Sequence, residues 1–275
     1  HHSYIRRVIE GGLSAIQRQA LHRRAGEALL ALNQARPQAV IEEVAHHFEQ
    51  AGDPRAVTYL VEAAEQAEAL YAYGNATAYL TRALARLDPT QPEDRERRFD
   101  LLLERETLLD RQGRRAEQAQ DVAALKELAE DLDDPARLAL ALVREAGLLS
   151  TTGDYDGARQ AGERALARYR TADDGAGEGQ ALRELGFTAW SAGDYGAALG
   201  YMRDALTLHR RLGNVEGEAT AMHNLAEIHR SLGSPHQALG EYETALNLYW
   251  ARQMRKRQAL TLYGMAHALR ETGKI

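Results

Sequence analysis

The 275-residue sequence has no cysteine, six prolines, three phenylalanines and two tryptophans. Without cysteine there are no disulfides, thiolate nucleophiles or cysteine-ligated zinc, which agrees with a reducing compartment. No apolar run approaches the ~20 residues that cross a bilayer, and the start lacks the basic, apolar and small-residue order of a secretion signal. The expected location is the cytoplasm, with no membrane partner. Lysine is nearly absent: of 34 basic residues only Lys126, Lys256 and Lys274 are Lys, which with the abundant alanine is the usage of a GC-rich bacterial genome. A basic face is missing too. The net charge is -6, and the clusters Arg23-Arg24, Arg95 to Arg98 and Arg252 to Arg257 are interleaved with acids or Gln. They read as solvated helix faces, and no nucleic-acid contact is expected of this chain.

What remains is 44% hydrophobic and 27% charged, enough to bury a substantial core. Helix formers dominate, and the prolines (Pro37, Pro54, Pro89, Pro92, Pro135 and Pro235) fall at punctuation points. An all-α fold follows. The decisive pattern is periodic: Gly113, Gly153, Gly193, Gly233 and Gly273 stand forty residues apart, a coincidence of about one sequence per hundred or fewer. Eleven residues before them stand Leu102, Leu142, Leu182, Met222 and Leu262, a column expected to face the core. Seven before stand Ala146, Gly186, Ala226 and Ala266, with Glu106 the exception. Five after come Ala158, Ala198 and Ala238, and twelve after come Ala165, Ala205 and Ala245, each followed by Leu. Small residues there let two helices approach closely, so each repeat is a helical hairpin. Glycine ends its first helix in a left-handed conformation. Asp154-Tyr155 and Asp194-Tyr195 open the second, and Asp53-Pro54, Asp134-Pro135 and Ser234-Pro235 pair an N-cap with Pro at the first helical position.

The stretch LGFTAWSAGDYGAALGYMRDAL, Leu185 to Leu206, resembles the tetratricopeptide repeat consensus, with the standard ~34 residues lengthened by about three per helix. The resemblance implies a right-handed α-solenoid of such hairpins. Repeats are expected at roughly 55–88, 93–132, 135–174, 175–214 and 215–256, with a lone helix from 257. Tyr71 takes the glycine column of the first, and Asp88 to Pro92 forms a stiff break after it. The organisation read from this is a helical lead-in over 1–54 and a repeat array over 55–275, ending in a half repeat.

In the lead-in, Ser14 and Gln17 have capping-box spacing. HSYIRRVIEGGLSAIQRQALHRRAGEALLAL, followed by IEEVAHHFEQAGDPRAVTYLVEAAEQA, resembles the segment before the repeats of bacterial STAND-type signal-transduction ATPases, many of them LuxR-type transcription activators. The spacing of Arg6, Leu13, Leu21, His22, Ala45, His46, Gly52 and Asp53 carries it. It implies that the chain is the sensor portion, behind an ATPase and a winged helix. No GxxxxGK[ST] is present: Gly273-Lys274 is followed by Ile275 and has Ala268 where the first glycine belongs. His1-His2 is either native or the tail of a purification tag.

In tetratricopeptide arrays the first helix of each hairpin lines a groove, which places residues ten, six and three before the repeat glycine in it. These are Arg183, Phe187 and Trp190; His223, Glu227 and Arg230; and Tyr263, His267 and Arg270, with Asn224 beside them. Aromatic anchors among Arg and His donors suit a peptide, a protein or a small inducer; packing of Phe187 and Trp190 between neighbouring helices is the alternative. His46-His47 after Glu42-Glu43 invites a metal, but adjacent helical side chains diverge by about 100° and HExxH is missing. No cofactor motif, nucleophile or closed acid-base pair stands out, so catalysis has no support. The leading expectation is a non-catalytic sensor; the second is a constitutive scaffold that docks another protein, including a second copy of itself.

Overall fold

The structure, a computed structural model, describes residues 13–273. Among them lie thirteen α-helices and no strand. The chain divides between Leu128 and Ala129 into two compact units. The first holds α1 (Ala15–Leu32), a short 3-10 turn (Pro37–Val40), α2 (Ile41–Gln50), α3 (Ala56–Ala69), α4 (Tyr73–Leu84) and α5 (Pro92–Gln112), and α6 (Arg115–Asp131) starts in it. The second holds α7 (Pro135–Thr152), α8 (Tyr155–Thr171), α9 (Gly175–Ser191), α10 (Tyr195–Leu212), α11 (Val215–Ser231), α12 (Pro235–Ala251) and α13 (Arg255–Glu271). Arg6, His1-His2 and Lys274-Ile275 lie outside the described residues.

The helix ends obey a tighter rule than the forty-residue spacing predicts. Gly113, Asp133, Gly153, Asp173, Gly193, Gly213, Gly233, Gln253 and Gly273 all have φ between 50° and 90°, one left-handed residue every twenty. From Gly113 to Gln253 each donates its N–H to the carbonyl three residues back, and the next residue donates to the carbonyl five back. Those two bonds close each helix and leave few orphan carbonyls. The following residue then starts the next helix: the side chains of Asp134, Asp154, Asp174, Asp194 and Asn214 accept from backbone N–H groups of the first turn. Ser234 makes no such bond. Asp53-Pro54 does not open a helix as expected, because α3 begins at Ala56. Asp53 is instead buried against Arg55 and Arg23, and the Arg55 hydrogen bonds hold its carboxyl down at about 2 against the opposing effect of burial.

In the first unit the Ser14–Gln17 capping box forms in both directions, at 3.2 and 2.8 Å. Phe48, Val44 and Ala56 make a buried cluster backed by Leu29, Leu30, Val40 and Tyr59. Gly26 gives the Phe48 ring its place, since a Cβ there would lie 3.0 Å from it. Tyr71, in the glycine column, adopts φ 60 and makes the same two closing bonds, so the turn forms without glycine. In the α5–α6 hairpin both small positions of the helix crossing are polar together: buried Glu106 accepts from Gln118 Nε2 at 2.7 Å, where other repeats have Ala or Gly facing Ala. Arg105 and Asp121 pair beside them at 2.5 Å.

In the second unit each helix packs on the next, and α7, α9, α11 and α13 also touch one another in turn, which α8, α10 and α12 do not do to a comparable extent. The first helices therefore line the inner side of this unit. Ala158, Ala165, Ala198, Ala205, Ala238 and Ala245 are all buried at the crossings. Leu142 and Leu182 are core as expected and Met222 is half-buried, but Leu262 is 47% exposed. It sits on α13, which among the described residues packs on α12 and touches α11 and has no following helix against its other side.

Two substitutions test the register. Ala205→Arg places a charged chain at a sealed crossing and is expected to cost about 3 kcal/mol or more in urea unfolding; near-normal stability contradicts the register. Tyr71→Gly relieves a left-handed L-residue whose side chain is 67% exposed and is expected to gain about 0.5–1 kcal/mol, whereas Gly193→Ala loses about 1 kcal/mol.

Candidate binding face

Positions ten, six and three before the repeat glycine share one face of the first helix because they fall at i, i+4 and i+7. On α9 this leaves Arg183 exposed and Phe187 43% exposed. The Phe187 ring meets the half-buried Trp190 edge-on at 5.9 Å. Trp190 Nε1 donates to Ser231 Oγ of α11 at 3.1 Å, so the indole bridges two first helices and offers its remaining surface outward.

On α11 the same positions turn inward. Tyr242 OH donates to Glu227 Oε1 at 2.5 Å, and Arg230 donates to Glu227 Oε2 at 2.9 Å and to Glu271 at 3.4 Å. Burial alone would raise the Glu227 pKa; the hydrogen bonds from Tyr242 and Arg230 outweigh it and hold the carboxyl below its ordinary value. Burial and the Glu227 carboxylate push the Tyr242 phenol up, against the opposing effect of Arg230. Glu227 and Arg230 are thus tied to a core tyrosine, and replacing either costs stability as well as surface. His223 shares Nδ1 with Thr261 Oγ at 3.1 Å. Since Thr261 already donates to the Arg257 carbonyl, the ring must be the donor, with its proton on Nδ1. Burial, with the Arg257 charge, lowers the His223 pKa against the pull of Glu227. Farther along, exposed Tyr263 lies 4.5 Å from the His267 ring, and Arg270 donates to His267 Nδ1 at 3.4 Å.

Arg183 and Asn224 face a different feature, an open cleft of about 370 Å³. Ala176, Gly179, Gln180 and Arg183 of α9 form one wall, and Glu216, Gly217, Thr220, Ala221 and Asn224 of α11 the other. Met202, Ala205 and His209 of α10 and Asn214 make the floor, and Arg257 of α13 closes one side. Gln180 and Thr220 were legible by extending the same helical face one turn upstream of Arg183 and Asn224. His209 was not, because it belongs to a second helix. It reaches in only where two glycines permit: a Cβ on Gly179 or Gly217 would come within 2.5 Å and 2.4 Å of its ring. Asn214 Oδ1 accepts from the Gly217 N–H at 2.9 Å, which turns Asn214 Nδ2 toward His209 Nδ1 at 3.3 Å. His209 Nδ1 is then an acceptor, and the proton of the neutral ring sits on Nε2. Burial lowers the His209 pKa, which favours that neutral form.

Other described histidines have partners of their own. His229 Nδ1 pairs with Glu241 of α12 at 2.7 Å. His47 meets His22 of α1, Nδ1 to Nδ1, at 2.9 Å, and among the described residues no group of three or more such side chains is arranged to hold a metal ion.

Comparison with known proteins agrees with this geometry. Residues 137–211 and 177–251 match the tetratricopeptide repeat family. The matched residues lie within the hairpins of the second unit, from α7 to α12. Among solved structures the chain is similar to apo RapI, with TM-score 0.61 and 10% identity over 94% of this chain and 99% of that one. It is also similar to a Pyrococcus horikoshii signal transduction ATPase with numerous domains and a tetratricopeptide repeat sensor, with TM-score 0.62 and 14% identity over 96% of this chain and 42% of that one. A third is a Rap protein complexed with competence and sporulation factor, with TM-score 0.54 and 14% identity over 99% and 81%. At these identities the likeness is one of fold, and the chain spans less than half the length of the ATPase. No curated protein sequence matches it.

The buried network makes a pH prediction. The folded-state pKa of Glu227 is depressed, so its contribution is present above the ordinary value of 4.5 and is lost as pH falls through the folded value. Glu227→Gln is therefore expected to lower stability at pH 7 by about 1–3 kcal/mol. The gap to the wild type should close below pH 4.5. Urea unfolding across pH checks it; a gap that stays constant contradicts the assignment.

Proposed function

We propose that this chain is a non-catalytic binding module whose first-helix face takes a peptide, protein or small inducer. In the fullest form of this reading it is the sensor of a signal-transduction ATPase of the transcription-regulator kind. The lead-in over 1–54 joins the array over 55–275 to the ATPase and winged-helix part. One observation carries the reading: along the inner row of helices, Phe187 and Trp190 present aromatic surface beside an unpaired Arg183 and an open cleft, in a scaffold whose outer positions seal its own core. Aromatic and arginine side chains anchored at the centre of a concave face are the usual carriers of binding energy. The fold likeness to an ATPase sensor and to a Rap protein in complex supports a signalling role. A ligand held there would bias an attached ATPase by binding one of its states more tightly than the other.

A photo-crosslinking amino acid tests the face directly. Placed at Phe187 in the source cells, it is expected to capture a defined partner that the same probe at Trp250, exposed on the second helix α12, does not capture. Capture from Trp250 alone, or none from Phe187, contradicts the proposal. Reading the gene upstream of residue 1 separates sensor from scaffold. A fused nucleotide-binding module with GxxxxGK[ST] is expected for the sensor, and its absence leaves the scaffold reading.

A further inference from the structure

The cleft between α9, α11 and α13 has a composition that the aromatic strip lacks. Arg183 and Arg257 both line it, and neither guanidinium has a carboxylate partner. One carboxylate, Glu216, is on the lining, so two guanidiniums stand against one acid. From the floor comes the His209 Nε2–H, fixed as a donor by the chain of bonds from the Gly217 N–H through Asn214 to Nδ1. The amide of Gln180 adds an uncommitted donor on the α9 wall. The amino-terminal end of α11, with its partial positive charge, borders the same space. Unpaired guanidiniums, a tautomer locked as donor and a helix start all favour the same partner: an oxyanion, which accepts hydrogen bonds at every oxygen.

We propose that this cleft binds the carboxylate or phosphate group of a small anionic ligand, gripped by Arg183 and Arg257 from the two sides and by His209 from below. The volume of about 370 Å³ falls at the lower end of small-molecule sites, which matches a compact metabolite rather than a folded partner. The proposal rests on the binding reading of the first-helix face and deepens it by naming the ligand chemistry. The glycines have a role in it: Gly179 and Gly217 let the imidazole stand between α9 and α11, where any larger residue would push it out.

Calorimetric titration of the whole chain with inorganic phosphate and, separately, with succinate tests the proposal. Equal ionic strength of sodium chloride and the neutral succinamide serve as controls. At least one oxyanion is expected to bind while succinamide does not, and whichever binds identifies the source as phosphate or carboxylate. Arg183→Gln and Arg257→Gln are each expected to weaken that binding about tenfold, with circular dichroism unchanged because both side chains are exposed. His209→Phe keeps a ring between the glycines but removes the donor, and is expected to weaken binding several-fold. No heat with either oxyanion, or affinity unchanged in both arginine variants, overturns the proposal. Phe187→Ala should leave oxyanion affinity intact. Partner capture from Phe187 without oxyanion binding therefore sinks this inference alone, and the reverse sinks only the macromolecular part of the binding reading.

Discussion

The architecture depends on one backbone event repeated at a fixed interval: a residue in the left-handed region, closed by two hydrogen bonds, that ends a helix every twenty residues from Gly113 onward. That event makes the helices of the second unit seventeen or eighteen residues long without exception. Equal helices bring the same positions to each crossing, which is why Ala158, Ala198 and Ala238, or Ala165, Ala205 and Ala245, are sealed in every copy. The α5–α6 hairpin shows that the crossing tolerates polarity only when both sides change together, as Glu106 and Gln118 do.

The candidate binding face is a by-product of that phase. Because the outer columns are consumed by packing, the inward-facing positions of α9, α11 and α13 are free to vary, and they vary in three ways. Phe187 and Trp190 remain as open aromatic surface. His223, Glu227 and Arg230 fold back onto Tyr242 and Thr261 and stiffen the neighbouring helices. Arg183 and Asn224 border the cleft. One set of helical positions thus supplies open aromatic surface, rigidity and the lining of an open cleft.

The fold was legible because glycine marks six of the nine evenly spaced turns, five of them forty residues apart. The turns between them were not legible, since Asp133, Asp173 and Gln253 adopt the left-handed conformation without the residue that advertises it and leave Gly213 without a periodic partner. Of the face, the sequence showed which residues share it but not their partners. Nothing in the spacing of Glu227 and Arg230 reveals a tyrosine arriving from α12, and nothing in His209 reveals that Gly179 and Gly217 admit its ring. Leu262 misled for a related reason: its column is apolar, yet burial depends on a neighbouring helix that the column itself does not encode.

If the phase is what specifies the structure, a whole period can be removed and a fraction of one cannot. Deleting residues 175–214 joins Asp174 to Val215, so the left-handed Asp173 and its capping neighbour precede α11 as Gly213 and Asn214 do now. Deleting 177–214 removes nearly the same mass but shifts the register. The account predicts cooperative unfolding and undiminished helix content per residue for the first variant, and loss of both for the second. Two variants that fold equally well, or fail equally, would contradict it.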